Sequence, residues 1–171
     1  ELFTLYTVYP MVFEYSRLVV DVERFIVDDM EQYGKGFIYK TDAFGYPITR
    51  IGKVEQDLYD EHHLKLASLV SQYLSLFPIA LIVDCHTFND SPLPWEPKGD
   101  RPDICIGTDD LHTPPELVNL LTKHFESSGL SVNINTPYNG TVIPKWFIDS
   151  KDVWSVMIEV NKRTYLSNKY K

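Results

Sequence analysis

Residues 80–90, ALIVDCHTFND, limit what this chain can fold into more than any other stretch. Pro78, just upstream, ends any helix that reaches it. From Ile79 to Val83 the run is almost unbroken in apolar, β-favouring side chains. Such a run predicts a buried strand in a sheet covered on both faces. Yet the strand ends in Asp84, Cys85, His86 and Thr87. Buried polar groups are costly unless they are paired or used. A strand that ends this way predicts one wall of a site.

The flanking segments supply the architecture. Upstream, Leu58, His62, Leu66, Leu69, Tyr73 and Leu76 recur at three- and four-residue spacing, which predicts a helix over 55–77. Further upstream, Val12 to Tyr15 and Leu18 to Val22 are rich in β-formers and predict a strand. Gly34, Gly36, Gly45 and Pro47 make 28–52 a loop with a short hairpin. Downstream, a proline-rich loop leads to a short strand at DICIG. Thr113, Pro114 and Glu116 read as a capped helix start, and that helix runs to about Ser127 and ends at Gly129. SVNIN and VWSVMIEV read as the last two strands, separated by the turn-rich NTPYNGT. Strands alternating with helices predict an α/β domain: a mostly parallel, twisted mixed sheet with helices on both faces.

Length and charge narrow the class. The 171 residues suffice for one domain with a sizeable core, and no internal boundary is visible, so residues 1–171 are expected to form a single domain. The net charge is −8 with no run of Lys and Arg, which argues against a nucleic-acid partner. No apolar segment reaches the roughly 20 residues that span a bilayer, and no signal peptide is visible. Cys85 and Cys105 form no CxxC pair and read as buried reduced thiols. A cytoplasmic location is therefore expected. The chain runs from Glu1 straight into the apolar LFTLYTVYPMVF, and the expectation is that the polypeptide begins further upstream.

Sites in open α/β sheets form outside the carboxyl ends of strands. Four predicted ends carry polar residues: Asp21, Glu23 and Arg24; Asp84, His86 and Thr87; Asn135 with the loop to Asn139; and Glu159 with Asn161. A histidine at a strand end is a common zinc ligand, or else a hydrogen-bonded structural residue. Asp84 shares its strand face and is a candidate to orient a neighbour. Glu159 lies within an apolar strand, where a carboxylate is either salt-bridged or used as a general base. Arg17 and Arg24 flank LVVDVE; their forks suit carboxylates or a developing oxyanion, or pair with Asp21 or Glu23. Tyr138 could hydrogen-bond a substrate or simply pack. His62 and His63 read as core or surface helix residues, and His112 and His124 have no assigned role.

Taken together and in order, YSRLVVDVERF, YDEHHLKL, IVDCHTF, RPDICIGT, NTPYNGT and SVMIEVNKRTYL resemble the N-formylglutamate amidohydrolase family, from about Tyr15 to Leu166. The family looks like a relative of the zinc carboxypeptidases and aspartoacylases. The resemblance implies a phosphorylase/hydrolase-like fold, one catalytic Zn2+, and cleavage of an amide in an acidic N-acyl amino acid. It implies His86 as a zinc ligand and Glu159 as the general base. Arg17 would polarise the scissile carbonyl and Arg24 would bind a substrate carboxylate. Asn135 and Tyr138 would lie in the loop that borders the substrate.

Three departures stand out. Two further zinc ligands, in a His-Ser-Gly-like motif and an acidic residue after it, are expected before Arg17, and nothing there supplies them. Glu23 stands where many relatives have Asn. The Asn-Arg after the base reads Asn161-Lys162, which keeps the charge and loses the fork. The resemblance thus implies a zinc amidohydrolase acting on a small-molecule N-acyl amino acid. Two alternatives remain open: a zinc exopeptidase-like hydrolase of peptide or cell-wall amides, and a metal-less small-ligand-binding pseudoenzyme.

Overall fold

A computed structural model describes residues 8–26, 29–42, 44–48, 53–93, 96 and 98–166. The first seven residues, part of the predicted loop over 28–52 and the end of the chain lie outside the described residues. Two compact units are present, residues 1–71 and 72–171, with the division inside one long helix, α1 (Val54–Leu76).

In the first unit the strand expected within 12–22 does not form; the segment is turn and irregular chain. Local hydrogen bonds explain the difference. Ser16 accepts from the Leu18 N–H through its hydroxyl and from the Val19 N–H through its carbonyl. Asp21 accepts from the Glu23 N–H through its carboxylate and from the Arg24 N–H through its carbonyl. Short polar side chains of this kind offer the backbone an alternative to a strand ladder. The β-branched residues still bury: Val20 and Val22 pack with Tyr59 of α1, and Phe13, Phe37 and Leu58 close around them. The loop opens with a 3-10 turn at Asp29–Tyr33, and among the described residues its expected hairpin is an antiparallel bridge between Thr41 and Pro47.

Helix α1 matches the predicted 55–77 closely, but its apolar stripe does not bury throughout. Glu55, Tyr59 and Val70 are the buried positions, while Leu76 is largely exposed.

The second unit is a four-stranded sheet. Its strands are β1 (Ala80–Phe88), β2 (Ile104–Gly107), β3 (Val132–Ile134) and β4 (Val153–Asn161), in the order β1-β4-β2-β3. β1 runs parallel to β4 and β2 parallel to β3, while β2 and β4 are antiparallel. The sheet is thus mixed, with two of its three pairings parallel. Helix α2 (Pro115–Ser127) joins the parallel pair β2 and β3, as a crossover must. Its Leu117, Leu121 and Phe125 cover one face by packing on Ile104, Ile106 and Val156.

Two local expectations are corrected here. The interior strands are β4 and β2, not β1: β2 is buried throughout and β4 has no exposed residue. β1 lies at the sheet edge, and its Leu81 and Val83 are 48% and 47% exposed. An apolar run alone does not distinguish an edge strand from a central one. Thr113 does not cap α2. Its hydroxyl donates to the Ser155 carbonyl at 2.6 Å and accepts from the Asp109 N–H at 2.9 Å, and Pro114 takes the cap position. The helix does end before Gly129, which adopts the expected positive φ of 80°. His112 is buried, with its ring nitrogens 2.8 and 2.9 Å from the Val153 and Ile148 carbonyls, so it ties β4 to the preceding turn. Among the described residues no helix is long and apolar enough to cross a membrane.

Candidate active site

Strand register builds the centre of the site. His86 is the cross-strand partner of Glu159, and Glu159 is the partner of Cys105. Neighbouring strands lie about 5 Å apart and directly paired side chains project to the same face. An imidazole, a carboxylate and a thiol therefore form a row across three strands, on the face opposite α2. Glu159 is 8% exposed.

Asp84 precedes His86 by two residues and so shares its face. Its Oδ1 lies 2.7 Å from His86 Nε2. The alternation of the strand, not the chemistry of the segment, makes this pair. An imidazole nitrogen and a carboxylate oxygen are donors of the type zinc takes, and a carboxylate on a histidine ring fixes its orientation. The pair fits part of a zinc set, since a catalytic zinc takes three protein ligands.

Beyond the row, the carboxyl ends of β1 and β4 are tied together by polar side chains. Asn161 donates to Asp90 Oδ1 and to the Pro102 carbonyl, and Lys162 Nζ donates to Asn89 Oδ1. The fork that Lys162 lacks is supplied one residue later. Arg163 donates from Nε to Asp103 and from a terminal nitrogen to Asp90, at 2.8 and 2.9 Å.

The loop after β3 reaches this region by an unexpected route. Because β2 and β3 run opposite to β4, Asn135 leaves the sheet beside the far end of β2, not beside Phe88 and Asn161. Its N–H donates to the Ile106 carbonyl and its carboxamide is engaged by Thr108. The loop then returns across the face. Tyr138 stacks edge-on with Phe88 at 5.6 Å, and its carbonyl accepts from Cys105 Sγ at 3.2 Å. The Tyr138 hydroxyl donates to Glu96 and accepts from Arg101. Burial, then Glu96, hold that hydroxyl well above the usual phenol range. Glu96 and Arg101 drew no attention in the sequence, because nothing local marks a residue whose partner is some forty positions away.

The candidate arginines belong to the first unit, and a buried acid organises them. Asp21 is 1% exposed, accepts from Tyr39 Oη at 2.9 Å, and lies 3.4 Å from Arg17 and 3.8 Å from Arg24. Tyr39 is raised above its ordinary value by burial first and then by the Asp21 charge. Both arginine side chains retain partial exposure, 53% and 34%. In α1, His63 Nε2 lies 2.9 Å from the Val22 carbonyl, and His62 packs edge-on against Phe13. Both histidines are structural within this unit.

The pattern of the N-formylglutamate amidohydrolase family (FGase) matches residues 2–166. A search of curated proteins returns no match. Among solved structures, the chain is similar to the crystal structure of N-formylglutamate amidohydrolase from Ralstonia eutropha JMP134. The two are 19% identical with a TM-score of 0.71, over 88% of this chain and 64% of that one. At that identity the likeness establishes the fold, and the chain spans less than two thirds of that relative's length.

Proposed function

The chain belongs to the N-formylglutamate amidohydrolase family, and from that premise we propose that it is a zinc-dependent amidohydrolase. Its substrate would be an N-acyl amino acid, N-formyl-L-glutamate or one similar. The observation that carries this reading is the cross-strand pairing of His86 with Glu159, with Asp84 on the imidazole. An acid–base residue must lie within hydrogen-bond reach of the proton it moves. Their register on adjacent strands supports a single reacting centre that both would serve.

His86 would hold the zinc, with Asp84 fixing the ring. Zinc, when bound, supplies Lewis acidity that polarises a carbonyl and acidifies water. Glu159 takes the proton of the attacking water and delivers it to the departing amide nitrogen, so the amine leaves neutral. The family resemblance would give Arg17 the developing oxyanion and Arg24 the substrate carboxylate; within the first unit Asp21 holds both.

The test is turnover by the full-length protein, purified with zinc, on N-formylglutamate and a panel of N-acyl amino acids and small peptides. Formate and free glutamate should appear together. Glu159→Gln should lower kcat by roughly 10²–10⁴, and His86→Ala should lower bound zinc measured by elemental analysis. Preference for peptides over acidic N-acyl amino acids would move the assignment to an exopeptidase-like hydrolase. Background turnover across the panel, unchanged by Glu159→Gln, would remove it.

A further inference from the structure

The loop over 135–138 is pinned at three points. At its start, Asn135 adopts a φ of 55°, uncommon for a residue with a Cβ. Its carboxamide accepts from the Thr108 N–H at 2.9 Å and donates to Thr108 Oγ1 at 2.7 Å. In the middle, the Tyr138 carbonyl rests on Cys105 Sγ. At the tip of the side chain, the Tyr138 hydroxyl donates to Glu96 Oε1 at 2.5 Å and accepts from Arg101 at 3.0 Å.

Arg101 and Glu96 close the figure. Arg101 donates to Glu96 Oε2 at 2.7 Å and to the Asn89 carbonyl at 3.2 Å. Its guanidinium lies 5.6 Å from the ring centres of both Phe88 and Tyr138. The two charged side chains are 2% and 12% exposed. Guanidinium, carboxylate and phenol thus form a triangle in which each bonds the other two. A buried ion pair gives little net stability over an apolar replacement, because desolvation cancels most of the attraction. What the fork does give is a fixed geometry. The geometry fixed here is that of a loop lying on Cys105, the register partner of Glu159. A cleft lined by Gly99, Arg101, Asn135 and Pro137 runs along the same loop.

We propose that Glu96 and Arg101 are positioning residues that clamp Tyr138 and thereby hold the 135–138 wall beside Glu159, where that wall bounds the space for the substrate. The substrate clause rests on the amidohydrolase reading; the clamp does not. Glu96 and Arg101 act through Tyr138 and touch no reacting atom.

Cys105 reports on the clamp directly, because the wall that covers it also accepts its S–H. The experiment treats the full-length protein and its Tyr138→Phe, Glu96→Gln and Arg101→Lys variants with iodoacetamide. Peptide mass spectrometry follows Cys105 and Cys85 separately, and thermal melts run alongside. Release of the wall should label Cys105 about tenfold faster, with Cys85 unchanged and Tm within a few degrees, as a local opening requires. In the active enzyme the same variants should raise KM about fivefold and leave kcat within about twofold. Wild-type labelling of Cys105 in all three variants overturns the clamp. Equal acceleration at Cys105 and Cys85, a sign of general loosening, overturns it as well. Faster labelling at Cys105 with an unchanged KM overturns its role toward substrate. A wild-type protein without amidohydrolase activity defeats the functional reading alone, since labelling still decides the clamp.

Discussion

Cys85 lies between Asp84 and His86 in sequence but on the other face of β1, so it takes no part in the row that holds Glu159. Its surroundings also silence it. Burial of the sulfur, then the Asp84 charge, push the thiol up from 9.0 to about 11. Because the neutral form is favoured, the reactive thiolate is scarce at neutral pH and grows tenfold per pH unit until about 11. Alkylation of Cys85 near pH 8 should therefore run on the order of a hundredfold slower than for a thiol at the ordinary value. A rate profile from pH 7 to 10 checks this, and an early plateau would refute it. At this scale the sequence was informative where a residue was out of place. His86 after an apolar run and Glu159 within one are both anomalies that burial costs make visible. Asp21, Glu96 and Arg101 are ordinary in their own segments. Their importance comes from partners 18, 42 and 37 residues away, and one sequence carries no record of those pairings.

The elements obey the same division. α1 and α2 were legible because a 3.6-residue period and a stop signal at Pro78 or Gly129 are local facts. β4 was legible as a strand, and its central place followed only from pairing. The expected strand before Phe25 failed because Ser16 and Asp21 bond to their own backbone. Thr113 failed as a cap because β4 claimed its hydroxyl. One β2 residue shows how tightly pairing constrains composition. A Cβ at Gly107 would collide with the Gly140 carbonyl and the Met157 side chain. The carbonyl belongs to backbone that follows the 135–138 wall and cannot rotate away. Gly107→Ala should cost about 1–3 kcal/mol, as overpacking in a filled core does, and lower Tm by about 3–10 °C. A melt unchanged from wild type would show that the backbone at Gly140 does not approach β2 this closely.

For the whole molecule the relevant quantity is the excess of acids, 24 against 16 basic residues. That balance does not identify which carboxylates matter to folding. Asp103 is one that does. It accepts from the Ser131 N–H at 2.9 Å, the Ser131 hydroxyl at 2.7 Å and Arg163 Nε at 2.8 Å. Burial pushes its carboxyl up, but these three donors outweigh that, and the net shift is below the ordinary 3.8. The sign follows directly. A group whose folded value is depressed contributes stability above its unfolded value and loses it as the pH falls through the folded one. Asp103 therefore joins the β2–β3 edge to the segment after β4 at neutral pH and releases it in acid. Asp103→Asn keeps the shape and loses the charge. It should cost about 0.5–1.5 kcal/mol near pH 7, the net worth of a typical hydrogen bond, because solvent screens a charge this close to the surface. The gap should shrink as the pH falls below 3.8 and through the lowered folded value, because the wild-type carboxyl is then protonated too. Urea titrations of both proteins near pH 7, 4 and 2.5 measure this, and a gap that stays constant across the series would mean that the Asp103 charge contributes nothing.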